Sequence, residues 1–176
     1  MNSDHLPSAE ISGEKLLTPE QRIAVVDEAK AWVTARTPYI PHAKMKGLGC
    51  DCATFILCVY RDLGLVEDVD HGCYSIQAHL HKPLTEAHER LLTQYVDTIL
   101  RYADEITEAE AQPGDMVLFK TARAFAHGAI VINWPTVVHS IIGHGVVFAD
   151  VSIDPHLQRR ERRFFRRNFL KPAIGS

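Results

Sequence analysis

No stretch of this 176-residue chain approaches the ~20 consecutive apolar residues that cross a bilayer, so membrane insertion is not expected. Positive charge is not in excess either. Lys and Arg number 19 against 22 Asp and Glu, and a formal net charge of −3 gives no electrostatic case for nucleic acid as a partner. Cysteine is sparse: Cys50, Cys52 and Cys58 crowd around one helical pattern and Cys73 stands apart. That is no disulfide framework, and thiols kept reduced in a cytosolic setting are the simpler reading. Cys50-Asp51-Cys52 lacks the two-residue gap of zinc knuckles and has no second cysteine pair to complete it. Most of the ten histidines are scattered, and His79 with His81 supplies only two ligands, so neither a metal nor a cofactor is expected. The first twenty residues carry Asp4, Glu10 and Glu14 and no continuous apolar core, so no secretory signal is expected. Internal repeats are absent. What remains is an ordinary globular composition, 46% hydrophobic and 23% charged, long enough for one domain with a sizeable core.

The most informative feature present is Asp51-Cys52 at the start of an apolar helical pattern. Cys52, Phe55, Ile56, Val59, Tyr60 and Leu63 recur at helical spacing, which predicts an amphipathic helix with one buried stripe. Gly64 stands where a left-handed C-terminal cap is expected. A thiol in the first turn lies at the positive end of the helix dipole, which favours thiolate, and Cys52 reads as a nucleophile in need of a base. Cys50, two residues away, is the rival; the apolar stripe begins at Cys52 and points it toward the rest of the core. Cys58, in mid-helix, reads as a small buried hydrophobe. Asp51 fits an anion near the helix N-terminus.

The base is expected to be His127. The β-branched run from His127 to His139 is broken at Asn133-Trp134-Pro135, so it reads as a hairpin. Folding it about Asn133 sets His127 directly opposite His139, where two imidazoles on one face can touch while the first also faces the cysteine. His127 would take the thiol proton, and His139 would hold the other ring nitrogen and fix the tautomer.

Five segments, in order, now carry a resemblance: Thr37-Pro38-Tyr39, Gly49-Cys50-Asp51-Cys52, Pro113 to Phe119, His127 to Ile132, and Val137-Val138-His139. They resemble the ordered motifs of the NlpC family of papain-like cysteine peptidases, which cut peptidoglycan stem peptides. The resemblance spans roughly residues 20 to 168. It implies Cys52 as nucleophile, His127 as base and His139 as third polar residue. It also implies that Tyr39 and Asp51 line the substrate cleft and can meet a free amine on the stem peptide. The bond it suggests lies between D-glutamate and a diamino acid. The chain departs from the family pattern after the nucleophile, where Ala53-Thr54 replaces the usual Ser-Gly pair. The Gly-Cys-Asp-Cys form and the Arg-Phe-Phe-Arg tail look most like the branch found in tail modules of phages and gene-transfer particles. Synthesis in the cytoplasm and carriage in a particle to the periplasm or wall would then be expected, with phage-tail proteins as further partners. Two other readings are a structural tail-assembly protein that keeps a peptidase fold and a thiol acyltransferase or amidase.

Along the chain, residues 1–17 are expected to form a mobile arm and 18–176 a single domain. Thr18-Pro19-Glu20-Gln21 is a helix start with a capping box, followed by a stripe of Val25, Val26, Ala29, Trp32 and Val33 and an end before Pro38. Residues 40–49 read as a loop and 66–84 as a loop rich in His and Pro. A third helix is expected over about 85–102 with Thr85 as cap, then an acidic solvated linker from Asp104 to Glu110. Strands are expected at Met116–Lys120, His127–Ile132, Val137–Ile142, Val146–Val151 and near Arg163–Arg166, the last as an arginine-guarded edge strand whose charges could also meet an anionic wall polymer. Asp115 reads as a turn residue and His144 as a solvated one. Helices first and an antiparallel sheet after them define an α+β, papain-like fold with the nucleophile helix packed on the sheet.

Overall fold

The computed structural model describes residues 16–68 and 86–171, with only the helical backbone given for 86–92. Residues 1–15 of the expected arm, Cys73, His79, His81, the Thr85 cap and the side chains of Leu91 and Leu92 lie outside the described residues. The arm boundary itself shifts. Leu16 forms a bridge with Asn168 and Leu17 is buried in the core, so the fold begins before Thr18.

Helix α1 (Pro19–Thr34) starts with the expected capping box, Thr18 accepting from Gln21 N and Gln21 Oε1 accepting from Thr18 N. It buries Val25, Val26, Ala29 and Trp32. The expected 40–49 loop contains a small hairpin, β1 (Lys44–Met45) with β2 (Gly49–Cys50). Tyr39 bridges to Cys50 beside it, so the Tyr39 segment is zipped to the approach of the nucleophile helix. Helix α2 (Cys52–Asp62) buries every residue from Ala53 to Tyr60 rather than one stripe, because helices and sheet surround it. It stops at Gly64, whose φ of +67° suits glycine in the left-handed region.

After α3 (Glu86–Leu100) come β3 (Ala103–Ile106), β4 (Met116–Thr121), β5 (Ala124–Asn133), β6 (Thr136–Ile141), β7 (Gly145–Asp150) and β8 (Arg162–Arg167). They form one six-stranded antiparallel sheet in the order β3-β8-β4-β5-β6-β7. Two expectations are corrected here. The acidic segment after α3 is a solvated linker only over residues 107–110, which are exposed, since residues 103–106 are a strand. The arginine-rich strand is not an edge, since β8 lies between β3 and β4. The causes are the same. Glu105 clasps Arg163 with two bonds of 2.7 and 2.5 Å, Glu108 meets Arg162, and Arg166 meets buried Asp115, so opposite charges from distant segments zip the two strands into the sheet. Arg167, 4% exposed, is held by the carbonyls of Leu65, Tyr102 and Asn168. Arg162, Arg163, Arg166 and Arg167 are therefore each committed to partners within the fold.

The helices cover one face of the sheet, where Trp32, Phe55, Ile56, Tyr60, Ile99, Leu118, Ile130 and Phe165 form the main core. The other face carries a second cluster, Val117, Phe119, Ala129, Val131, Val137 and Phe164, roofed by Val151 and Leu157 from the segment before β8. This is the α+β arrangement anticipated from the sequence.

Candidate active site

The strand that carries His127 is irregular at the point that matters. Phe119 pairs with His127 but Lys120 pairs with Phe125, so Ala126 is an extra, bulged residue in β5. Phe125 consequently packs toward the helices, while His127, opposite Phe119, faces the second cluster. Between β5 and β6 the register is also not the expected one. The turn sits at Trp134-Pro135, one residue past Asn133, and Ile132 is skipped in the pairing, so His139 lies opposite Ala129. His127 is thus the diagonal neighbour of His139 on the same face, not its direct partner. Histidine side chains are long enough to span that diagonal. His127 Nε2 and His139 Nδ1 are 2.7 Å apart, with the rings edge to face at 5.0 Å between centroids.

Cys52 comes to this strand from the helix side. Its Sγ donates to Ala126 O at 3.4 Å, and the Gly128 amide is directed at the sulfur, so the thiol rests on the backbone on either side of His127. No hydrogen bond joins Sγ to the His127 ring, which corrects the expectation that the ring faces the cysteine directly. The close approach of helix and strand requires Gly128. A Cβ there would stand 2.4 Å from Ile56 Cδ1, 2.7 Å from the Tyr95 hydroxyl and 3.1 Å from Cys52 O. Tyr95 donates its hydroxyl to Ala53 O at 3.2 Å and so ties α3 to the first turn of α2.

Asp51 is the N-cap of α2. It accepts from Ala53 N at 3.0 Å, Thr54 N at 2.9 Å and Thr54 Oγ1 at 3.0 Å, and its other oxygen accepts from His42 N at 2.6 Å. Thr54 completes a capping box by accepting from Asp51 N. The Asp51 side chain has no solvent exposure, so in this conformation it is an anchor for the helix start and the 40s loop, not an open face of a cleft. Tyr39 is half-buried, with its phenol beside Cys52 and Asp51. Burial, then the neighbouring Cys52 and Asp51, push its pKa well up, so it stays a neutral hydroxyl donor.

The electrostatics differ from the thiolate expected at a helix tip. Burial first, and then the Asp51 carboxylate, push the Cys52 thiol up to about 12, against the opposing pull of the Gly128, Cys52 and Ala53 amides. Burial also depresses His127, helped by His139 and Arg160, and depresses His139, with Asp154 opposing and Arg160 assisting. The resting site is a neutral thiol beside two neutral imidazoles. Of the other described cysteines, Cys50 is fully buried with its thiol pushed up to about 12 by burial, and Cys58 is buried in the core, whereas Cys52 is partly exposed. His144 lies in the exposed β6–β7 turn as expected. Among the described residues no group of three or more His, Cys, Asp or Glu could hold a metal ion, and no helix is long and apolar enough to cross a membrane.

Comparison with known proteins places this geometry. The NlpC/P60 family model matches residues 36–164, from just before Tyr39 to β8. Among solved structures, the NlpC/p60 domain of the peptidoglycan hydrolase SagA is 20% identical with a TM-score of 0.53, covering 81% of this chain and 96% of that one. A protein similar to lipoprotein of the NLP/P60 family, from Staphylococcus aureus subsp. aureus Mu50, is 20% identical with a TM-score of 0.56, covering 92% of this chain. NlpC1 from Trichomonas vaginalis is 18% identical with a TM-score of 0.50, covering 90% of this chain. The chain spans 44% and 46% of the length of the last two. No curated protein matches this sequence. The structural likeness establishes the papain-like α+β fold, and the family match covers well over half of the sequence: this chain belongs to the NlpC/P60 family.

Proposed function

We propose that this protein is a cysteine peptidase that hydrolyses peptidoglycan stem peptides, with Cys52 as nucleophile, His127 as base and His139 as the residue that orients it. The observation that carries the reading is the 2.7 Å contact between the two imidazoles, with the sulfur of partly exposed Cys52 resting on the backbone that flanks the first of them. Attack requires Sγ to leave Ala126 O and meet the His127 ring as substrate enters, and side-chain rotamer changes are fast on that scale. Because thiol and imidazole are both neutral at rest, the proton passes to His127 as Sγ attacks the amide carbonyl, rather than before substrate arrives. The imidazolium so formed is held by His139. A neutral orienter stabilises it less than a carboxylate would.

The oxyanion is stabilised by the Cys52 amide and the Tyr39 hydroxyl. The amides of Ala53 and Thr54, next along the helix, are already taken by Asp51. His127 then gives its proton to the leaving amine, and water hydrolyses the thioester. Tyr39 lines the cleft directly, while Asp51 attracts the free amine of the stem peptide from behind it, through its charge. The bond cut is the one between D-glutamate and the diamino acid. The setting is a phage tail or gene-transfer particle. For that, the Gly-Cys-Asp-Cys form is the remaining support, since the Arg-Phe-Phe-Arg segment is absorbed into the sheet.

Purified sacculi treated with the protein should release soluble muropeptides, and Cys52→Ala should release none. Release that survives Cys52→Ala refutes the assignment. Mass spectrometry of products from defined muropeptides identifies the bond, and detection of the chain in purified particles tests the setting. Particle assembly that is normal with Cys52→Ala, combined with no wall digestion by the wild type, would favour a structural tail protein instead.

A further inference from the structure

The segment between β7 and β8 crosses the face of the sheet on which His127 and His139 stand. It leaves the β5–β6 turn, where Val151 N donates to Pro135 O at 3.1 Å, and it ends on β4, where Glu161 O accepts from Lys120 N at 2.8 Å. Between those points it winds into tight turns. Asp154 O accepts from Leu157 N and Gln158 N, and Leu157 O accepts from Arg160 N. Asp154 also caps the start, its Oδ1 accepting from His156 N at 2.7 Å and Leu157 N at 3.1 Å, with Pro155 in the position that follows a cap. Residues three apart eclipse in turns of this kind, so Asp154, Leu157 and Arg160 share one side. Burial agrees. Leu157 is 1% exposed within the second cluster, Asp154 and Arg160 are half-buried, and Pro155, His156, Gln158 and Arg159 are exposed.

That side brings two opposite charges down on the imidazole pair, one on each flank of Leu157. Arg160 Nη1 donates to Thr121 Oγ1 at 2.6 Å, two residues along β4 from Phe119, whose ring centroid lies 6.2 Å from that of His127. Asp154 approaches from the β7 end, where its amide donates to Asp150 O at 2.8 Å, and it acts on His139. The strand neighbours of the pair on this face, Phe119, Ala129 and Val147, are apolar. On the helix side the titratable groups are Cys52, with Asp51 and Tyr39 beside it. The two charges of the crossing segment pull in opposite directions. The carboxylate favours a protonated ring, and the guanidinium disfavours one.

We propose that Asp154 and Arg160 are positioning residues that act by charge through the two histidines: Asp154 steadies the imidazolium formed during attack, and Arg160 keeps both rings neutral until then. This rests on the assignment of His127 as base, and it adds the carboxylate that a Cys-His-His set lacks.

The test removes each charge in the full chain. Asn caps a turn as well as Asp does, so Asp154→Asn keeps the segment folded and takes away only the charge. On a stem peptide its kcat should fall roughly threefold to tenfold with KM unchanged, and the acid limb of kcat/KM should move down by about half a pH unit. Arg160→Gln should move that limb up by about half a unit, and Arg160→Lys should leave it in place. The ring-proton NMR signals of His127 and His139, titrated without substrate, should show the same opposite displacements, with melting curves confirming that each variant is folded. Unmoved signals, displacements in one common direction, or a wild-type kcat in Asp154→Asn overturn the proposal. The substrate-free titration separates this failure from that of the peptidase reading. A wild type that cleaves no stem peptide while the variants show opposite displacements sinks the peptidase alone, whereas cleavage with unmoved signals sinks the charge pair alone.

Discussion

Two buried polar clusters sit at opposite ends of strand β5, and they handle charge in opposite ways. Beside Val131, Asp115 is fully buried among partners: Arg22 at 3.0 Å, Arg166 at 2.8 Å and the Gln112 amide at 2.9 Å. The Arg166 pKa is raised, chiefly by that hydrogen bond to Asp115. At the other end, His139 is buried and Cys52 and His127 are partly buried, and there burial keeps each of the three neutral. The first cluster satisfies its charges permanently and so joins α1, the Pro113–Gly114 turn and β8 into one body. The second holds charge in reserve, because its groups ionise only when a substrate draws the proton across. One end of the strand is built to stay as it is and the other to change.

That contrast can be broken most forcefully at its charged end. Asp115→Ala strands two arginines, 15% and 13% exposed, without their counter-ion and should cost about 3–5 kcal/mol of unfolding free energy by urea titration. The specific activity of the folded fraction should be unchanged. His127→Gln should show the reverse: kcat/KM on a stem peptide falling by roughly 10²–10⁴, with stability within about 1 kcal/mol of the wild type. An Asp115 variant that loses activity while still folded, or a His127 variant that loses mainly stability, would dissolve the distinction. Gly128→Ala tests the seam between helix and catalytic strand. Its Cβ must displace Ile56 and the Tyr95 hydroxyl, so about 1–3 kcal/mol of stability should be lost together with most of the activity, read by thermal melts and turnover.

Much of this was legible because it is local in sequence. The Thr18 capping box, the stop at Gly64, the start of α2 at Cys52 and the pairing of His127 with His139 follow from neighbours within a few residues or one hairpin. The hairpin register was not, since counting from Asn133 assumes an unbulged ribbon, whereas β5 skips Ile132 in its pairing and carries an extra residue at Ala126. Strand β3 was hidden for a different reason. Asp104 and Glu105 look like a solvated charge run until Arg163, Asn168 and Lys171, some sixty residues away, supply their partners. The state of the thiol was misjudged in the same manner. A helix tip favours thiolate, but the sequence does not show how far packing against β5 excludes the water that a thiolate needs.

The pH dependence of stability tests the neutrality of the site directly. His139 is 2% exposed and its pKa is depressed by burial from 6.5 to about 4, so the folded protein binds its proton less readily than the unfolded chain does. Above about 6.5 neither state is protonated at this group and it contributes no pH dependence. Below that value the unfolded chain takes up the proton first, and stability falls as pH falls until the folded pKa is reached. The slope in this window should be about 1.4 kcal/mol per pH unit for one proton, and His127, depressed in the same direction, adds to it. Urea unfolding of the wild type at steps between pH 7 and pH 4, set against His139→Gln, should show a shallower acid limb in the variant. Equal limbs would mean that His139 titrates alike in both states, and the buried neutral pair would then be the wrong description of this end of the strand.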